Sequence, residues 1–417
     1  MMLKKTIALV VSAALLFSFA GCGKTNDNPA QSSSTQNAKT ESTAETKKEV
    51  TLKVWHNYLP EVQKALSDTY AEFQQETGIK VEFVKLEDFD NKVEKAAQTG
   101  ELPDLIIKAN DSTGKLSVMG AITPIDDIVD ATAMSGLMPN AVEGFKYQDK
   151  LYGVPAVMEC VTLIYNKDLI SEAPATTDDL INKVKEITKD GKYGFLIPPK
   201  DPFFNSAFFY GAGGGYLDKD GNAVLNSPEN LEAAKILVEL SKYYPKDLDH
   251  QLVSQLFRDG KAAMMISGPW DIPKIKEAKI NYGMAKIPGV TKTGKSTPFM
   301  AIQGMYMTTK CKDKDAAAKV LNFFAGSKVS KAMAKAGGYL PANTEARSDS
   351  EITGNTDVAA FMSQSEVGIS MPNVPEMGAM WTPLDGTLQE IVVLKQDPAK
   401  VLEKYQKKAE EAIKNMK

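Results

Sequence analysis

Histidine and arginine are nearly missing from this chain of 417 residues, which has only His56 and His250, and Arg258 and Arg347. With three cysteines and two histidines no cluster has metal-ligand spacing, so a zinc or iron centre is not expected. No Gly-x-Ser-x-Gly elbow and no phosphate loop occurs, so the commonest hydrolase and nucleotide-binding signatures are absent. Scarce arginine combined with a formal charge of −4 makes a poor partner for nucleic acid or polyphosphate. Beyond residue 22 no apolar run is long enough to span a bilayer. No cofactor is expected.

What is present begins with Lys4-Lys5, an apolar run from Ile7 to Ala20, and Phe19-Ala20-Gly21-Cys22. A cationic front, a short apolar run and small residues make a secretory signal peptide. Small residues directly before Cys22 resemble a bacterial lipoprotein box, with Phe19 where Leu is usual; an ordinary signal peptide with an incidental cysteine is the alternative. The resemblance implies a diacylglyceryl group on Cys22 as the mature amino terminus. Two acyl chains suffice for stable attachment. Residues 23–48 hold no aromatic or branched aliphatic side chain and read as a disordered tether. Loss of Lys4 and Lys5 with the signal would take the formal charge from −4 to about −6. Cys160 lies in an apolar run and reads as a small buried residue, although a Cys160–Cys311 disulfide stays open.

From about Glu49 the length suits two lobes. Val50–Trp55 alternates as a strand, residues 61–77 have helical spacing, and residues 79–84 alternate again. A helix over 89–98 and a buried strand over 104–107 complete a strand–helix–strand–helix–strand run, the pattern of a parallel sheet covered by helices. Further on, strands are expected over 161–165, 193–197 and 262–266. Helices are expected over 177–188 (capped by Thr177), 228–243, 313–324, 329–336, 358–362, 383–394 and 398–416.

Three segments now carry a family resemblance: Leu163-Ile164-Tyr165-Asn166-Lys167-Asp168-Leu169, Ala263-Met264-Met265-Ile266-Ser267-Gly268-Pro269-Trp270, and Met371-Pro372-Asn373-Val374-Pro375-Glu376-Met377 with Trp381 after it. Their order and spacing closely resemble the maltose and maltodextrin-binding proteins of ABC importers over the whole region from Val50 onward. The resemblance implies an α/β fold of the type II periplasmic-binding-protein kind, with two lobes, a hinge and an interlobe cleft. One lobe would take 49–156 plus 303–355, the other 162–300 plus 357–417. It further implies a chain that is no enzyme. It would bind an oligosaccharide, work with permease transmembrane subunits and a cytoplasmic ATPase, and sit as a monomer on the outer face of the cell membrane through its lipid.

Sugar chemistry explains which residues such a cleft needs. Axial C–H groups stack on flat rings, while hydroxyls are held by carboxylates and amides through charge-assisted hydrogen bonds. Trp270 and Trp381 match the sugar-stacking positions; plain core packing is the alternative for each. Trp55 fits equally the end of a buried strand. Asp111 and Glu159 match hydroxyl-binding carboxylates, against a surface acid or, for Glu159, a hinge salt bridge. Asp201-Pro202-Phe203 matches a Glu-Pro-Tyr segment, with the phenol lost at Phe203. Tyr210 and the glycines 213–215 fit a lining loop or a simple turn. Lys108 replaces a common Trp, Ser112 a common Arg, and Thr382 an aromatic. His56 and Tyr58 stand in for an expected Asp-Lys pair. These departures leave a different oligosaccharide open, and a polyamine could use similar acids and rings. A secreted glycoside hydrolase would need two carboxylates across one bond, which Asp111 and Glu159 could formally supply, although no pocket that raises a carboxyl pKa is evident in the sequence.

Overall fold

The computed structural model describes residues 50–415. The expected signal peptide, Cys22 and tether lie outside the described residues. No helix among the described residues is long and apolar enough to cross a membrane.

The first half of the alternating pattern becomes strands β1 (Val50–His56), β2 (Ile79–Lys85) and β3 (Leu105–Ala109), with helices Pro60–Thr77 and Phe89–Thr99 between them. β1 pairs parallel with β2 from Val50↔Ile79 to His56↔Lys85, and parallel with β3. After a two-stranded hairpin, β4 (Lys146–Tyr147) and β5 (Lys150–Leu151), come β6 (Gly153–Cys160), β7 (Thr162–Asn166), β8 (Met264–Ser267), β9 (Tyr282–Ala285), β10 (Phe299–Met307), β11 (Leu340–Pro341) and β12 (Ile369–Ser370). The larger sheet runs β11-β6-β10-β3-β1-β2, with β12 beside β10. β10 is antiparallel to both β3 and β6, so the sheet is mixed where alternation alone implied a parallel one. A second sheet, β8-β7-β9, is antiparallel.

Two apolar cores sit against these sheets. Leu52, Val54, Ile106 and Val157 belong to the larger, and Phe195, Phe208, Leu237 and Leu402 to the smaller. β10 serves both: Phe299 and Ala301 enter the smaller core, Ile302 and Met305 the larger. β7 and β8 split by alternation, with Leu163 and Ile266 facing the smaller core and Ile164 and Met265 the larger. Core membership therefore runs across the expected lobe limits; Val358 and Phe361 pack in the larger core. The chain passes between the two sheets at Cys160–Thr162 and again on the way from β9 to β10.

Several local expectations need correction. The helix at 177 is capped by Thr176, whose hydroxyl accepts from the Asp179 N–H while the Asp179 carboxylate accepts from the Thr176 N–H. That reciprocal box needs an acid three residues on, which selects the first of two adjacent threonines. The segment 193–197 makes only single bridges to Ala262 and Met265: its bonded residues, Tyr193 and Leu196, are three apart, which breaks the two-residue alternation of a strand. The helix expected from Pro383 begins at Pro375 and carries Pro383 inside it, and residues Gln389–Val393 form a π turn rather than its continuation. Cys160 and Cys311 are both free and buried.

Asn110, fully buried, ties the crossing region together. Its amide donates to the Met371 carbonyl at 2.8 Å, and its carbonyl accepts from the Ile302 N–H at 3.0 Å. Asn110→Ala leaves both backbone groups unpaired, so a loss of about 2–4 kcal/mol is expected in urea unfolding.

Candidate functional site

The Phe89–Thr99 helix, the end of β3, the seam of β6 and β10, and the Pro202–Gly211 and Pro375–Leu388 helices surround one cavity of about 610 Å³. Lys108, Asp111, Glu159, Asp201, Phe203, Trp270 and Trp381 all line it. A smaller chamber of about 300 Å³ continues past Trp270, shares Asn57, Glu159 and Gln303 with it, and reaches Tyr58, His250, Lys274 and Tyr339.

Trp270 stands where β8 ends. Pro269 opens a short 3-10 turn, and Gly268 lies against the indole: a Cβ there would overlap the six-membered ring. Phe204 meets the ring edge-on at 5.9 Å, and the indole N–H donates to His250 Nε2 at 3.2 Å. Trp381 projects from the Pro375–Leu388 helix and donates its indole N–H to Asp111 Oδ2 at 3.0 Å, joining an element of the smaller core to the end of β3. Asp201 caps its own helix, its carboxylate accepting from the Phe203 N–H at 2.9 Å, which holds Phe203 at the cavity wall. Phe203 in turn meets Phe204 edge-on at 6.1 Å.

The opposite wall is polar. Lys108 pairs with Asp90 and lies 5.6 Å from the centre of the Phe89 ring, and Lys115 pairs with Glu94 at 2.6 Å. Where the resemblance has an aromatic platform, this chain has charges neutralised in pairs. Ser112 and Thr382, the other departures, also line the cavity.

The acids of the cavity are not ordinary. Burial raises the Asp111 carboxyl, opposed by the charge of Lys108 and the Trp381 hydrogen bond. Burial pushes Glu159 up to about 7, against the pull of the Gln303 amide, which donates to it at 2.7 Å. Asp201 is raised by burial too, opposed by the helix N–H groups it caps. A carboxyl-raising environment that sequence inspection did not suggest is therefore present.

Four sequence candidates do not line the main cavity. Trp55 packs against the larger core, between Val84 and Ile106 of the neighbouring strands, and does not line the cavity. His56 is fully buried; its Nδ1 accepts from the Tyr58 N–H at 3.0 Å, and burial followed by the charge of Lys85 lowers its pKa to about 4. Tyr58 reaches only the smaller chamber, where its buried hydroxyl has no partner among the described residues. Tyr210 caps its loop by accepting from the Tyr216 N–H and does not line the cavity.

Other lining residues escaped sequence reading: Asn57, Phe89, Asp90, Asn91, Glu94, Lys115 and Gln303. Most sit at the start of an ordinary amphipathic helix, with no motif to single them out. Gln303 had a signal, a lone amide inside the apolar run Phe299–Met307, but that strand went unread. No group of three metal-ligating side chains occurs among the described residues.

The model of the bacterial extracellular solute-binding protein family matches residues 68–360. A maltotriose-binding protein of Pyrococcus abyssi is 31% identical, over 87% of this chain and 82% of its own length. A galactooligosaccharide-binding protein of Bacillus subtilis is 28% identical over 99% and 98%. A maltooligosaccharide ABC transporter solute-binding lipoprotein of Streptococcus pneumoniae is 29% identical over 94% and 92%. Among solved structures, a maltose/maltodextrin-binding domain from Bdellovibrio bacteriovorus bound to maltotriose superposes with a TM-score of 0.80 at 27% identity, over 88% of this chain and all of that one.

Glu159 should titrate near pH 7, read as the infrared carboxylate band that Glu159→Gln abolishes. Gln303→Leu removes a donor that favours the ionised form, so that midpoint moves higher. Because the folded value lies above the ordinary 4.5, ionising Glu159 costs stability as pH rises from 4.5 to about 7. In urea unfolding, Glu159→Gln should gain on the wild type across that window, by roughly 3 kcal/mol at most.

Proposed function

The chain belongs to the bacterial extracellular solute-binding protein family and has the two-lobed type II periplasmic-binding fold of its structural relatives; from that premise we propose that it captures an oligosaccharide, a maltodextrin, and delivers it to an ABC importer. The observation that carries this reading is the cavity itself. Phe203, Trp270 and Trp381 present rings on one side, and Asp111, Glu159 and the paired charges of the Phe89–Thr99 helix present hydroxyl partners on the other.

Such a site can grip a sugar without altering it. Rings take the C–H faces, and carboxylates accept from hydroxyls. Micromolar affinity requires only about −8 kcal/mol, within reach of two stacked rings and a few hydrogen bonds. The proposed lobes are 49–156 plus 303–355 and 162–300 plus 357–417. They close on the sugar to the extent that it prefers the closed state. The closed form then engages permease subunits driven by a cytoplasmic ATPase. A monomer held at the outer face of the cell membrane by a lipid on Cys22, with residues 23–48 as tether, suits that task. The order of residues 1–22 and the lipoprotein among the relatives support the anchor.

A hydrolytic role has less support. The relatives are named as binding proteins.

Calorimetry with maltotriose, a galactooligosaccharide and spermidine tests the proposal; binding of spermidine alone would sink it. Trp270→Ala and Trp381→Ala should each weaken maltotriose binding roughly tenfold or more, about the 1.4 kcal/mol of one lost stacking contact. No new reducing ends should appear on incubation with maltodextrins. Cys22→Ser should release the protein from membranes into the medium.

A further inference from the structure

His250 opens the helix His250–Arg258, and Asp249 caps it by accepting from the Leu252 N–H at 2.8 Å. The cap sets the imidazole beside Phe204, ring centres 5.4 Å apart, and 6.4 Å from the Trp270 ring. An indole N–H only donates, so the hydrogen bond at 3.2 Å requires a lone pair on His250 Nε2. That nitrogen has a second neighbour, Asp271 Oδ2 at 3.3 Å. Asp271 is buried and already accepts from Ser254 at 2.8 Å and Ser267 at 2.5 Å, so its position is fixed.

We propose that His250, in its neutral form, is the positioning residue that holds Trp270 flat for stacking, and that its protonation releases the ring. The neutral imidazole with its proton on Nδ1 accepts from Trp270 at Nε2. The imidazolium carries a proton on Nε2, which turns to the Asp271 carboxylate and leaves the indole N–H facing another donor. Gly268 and Phe204 still bound the ring, but nothing then holds its N–H edge. The groups around His250 are mixed. Asp271 and Lys274 face it from the turn and helix after β8, and Glu159 faces it from β6. Asp201 senses its charge from the Pro202–Gly211 helix. Asp249 adjoins it on its own helix, and the phenols of Tyr58 and Tyr339 share its chamber.

The effect on ligand rests on the sugar reading above, while the effect on Trp270 does not. The test therefore has two arms. With three tryptophans, the ligand-free protein gives three indole cross-peaks in a proton–nitrogen correlation spectrum, and Trp270→Phe identifies one. Between pH 8 and 5 the Trp270 signal of the wild type should move from a bonded to an unbonded position. In His250→Phe it should sit at the unbonded position throughout, and in His250→Gln, which keeps an acceptor, it should not follow pH. A Trp270 signal that ignores pH in the wild type, or that moves equally in His250→Phe, overturns the proposal. In the second arm, His250→Phe should bind maltotriose roughly fivefold more weakly than wild type at pH 8, one hydrogen bond's worth, and about equally at pH 5. Repeating the pair in a Glu159→Gln background removes that acid's own titration from the ratio. A ratio independent of pH would mark a merely structural role and reject the switch. Failure of the wild type to bind maltotriose at all would sink the sugar reading, and the spectra would still decide for or against His250.

Discussion

A partly buried indole makes a fixed stacking surface when its N–H has a hydrogen-bond partner of its own, so that the ligand need not supply one. In this cavity each of the two lining tryptophans meets that condition by a single hydrogen bond, Trp270 to His250 and Trp381 to Asp111. The two bonds differ in kind. The first lies wholly on one side, within the turn after β8 and its neighbouring helix. The second spans from the Pro375–Leu388 helix to the end of β3. One ring is therefore fixed independently of how the two sides approach, and the other is fixed by that approach.

Charge is arranged with the same economy. Lys108 and Lys115 point at the cavity but are matched by Asp90 and Glu94, which leaves donors and acceptors with little net field. Such a wall suits an uncharged ligand rich in hydroxyls better than a polycation. The unmatched acids, Asp111, Glu159 and Asp201, are buried enough that their charged forms are disfavoured, and each is held by at least one N–H donor. Their preference for a hydroxyl or amide partner over bulk water follows from that burial.

Elements are legible in the sequence where they alternate or form a short, bounded apolar run, as β3, β7 and β8 do. β1, β2 and the helices beside them alternate between water and core, so their periods could be read from Val50 to Thr99. β6 is buried along its full length and carries a proline; it has no period, and it went unread. β10, nine residues and almost wholly buried, has no period either, and so nothing periodic marks Gln303, the donor to Glu159. The Pro375–Leu388 helix was placed eight residues late because Pro383, usually a first-turn residue, sits within it.

By itself, the residue order determined local features such as Gly268-Pro269-Trp270, which fix their own turn through the pyrrolidine ring and the missing Cβ. Only the tertiary structure decided which side chains share a space. Asp111 and Trp381 lie 270 residues apart, whereas Trp55, half-buried against the larger core, and His56, fully buried, lie away from the cavity. Those outcomes depend on how β6 and β10 carry the chain between the two sheets, a long-range packing choice that no local period or motif encodes.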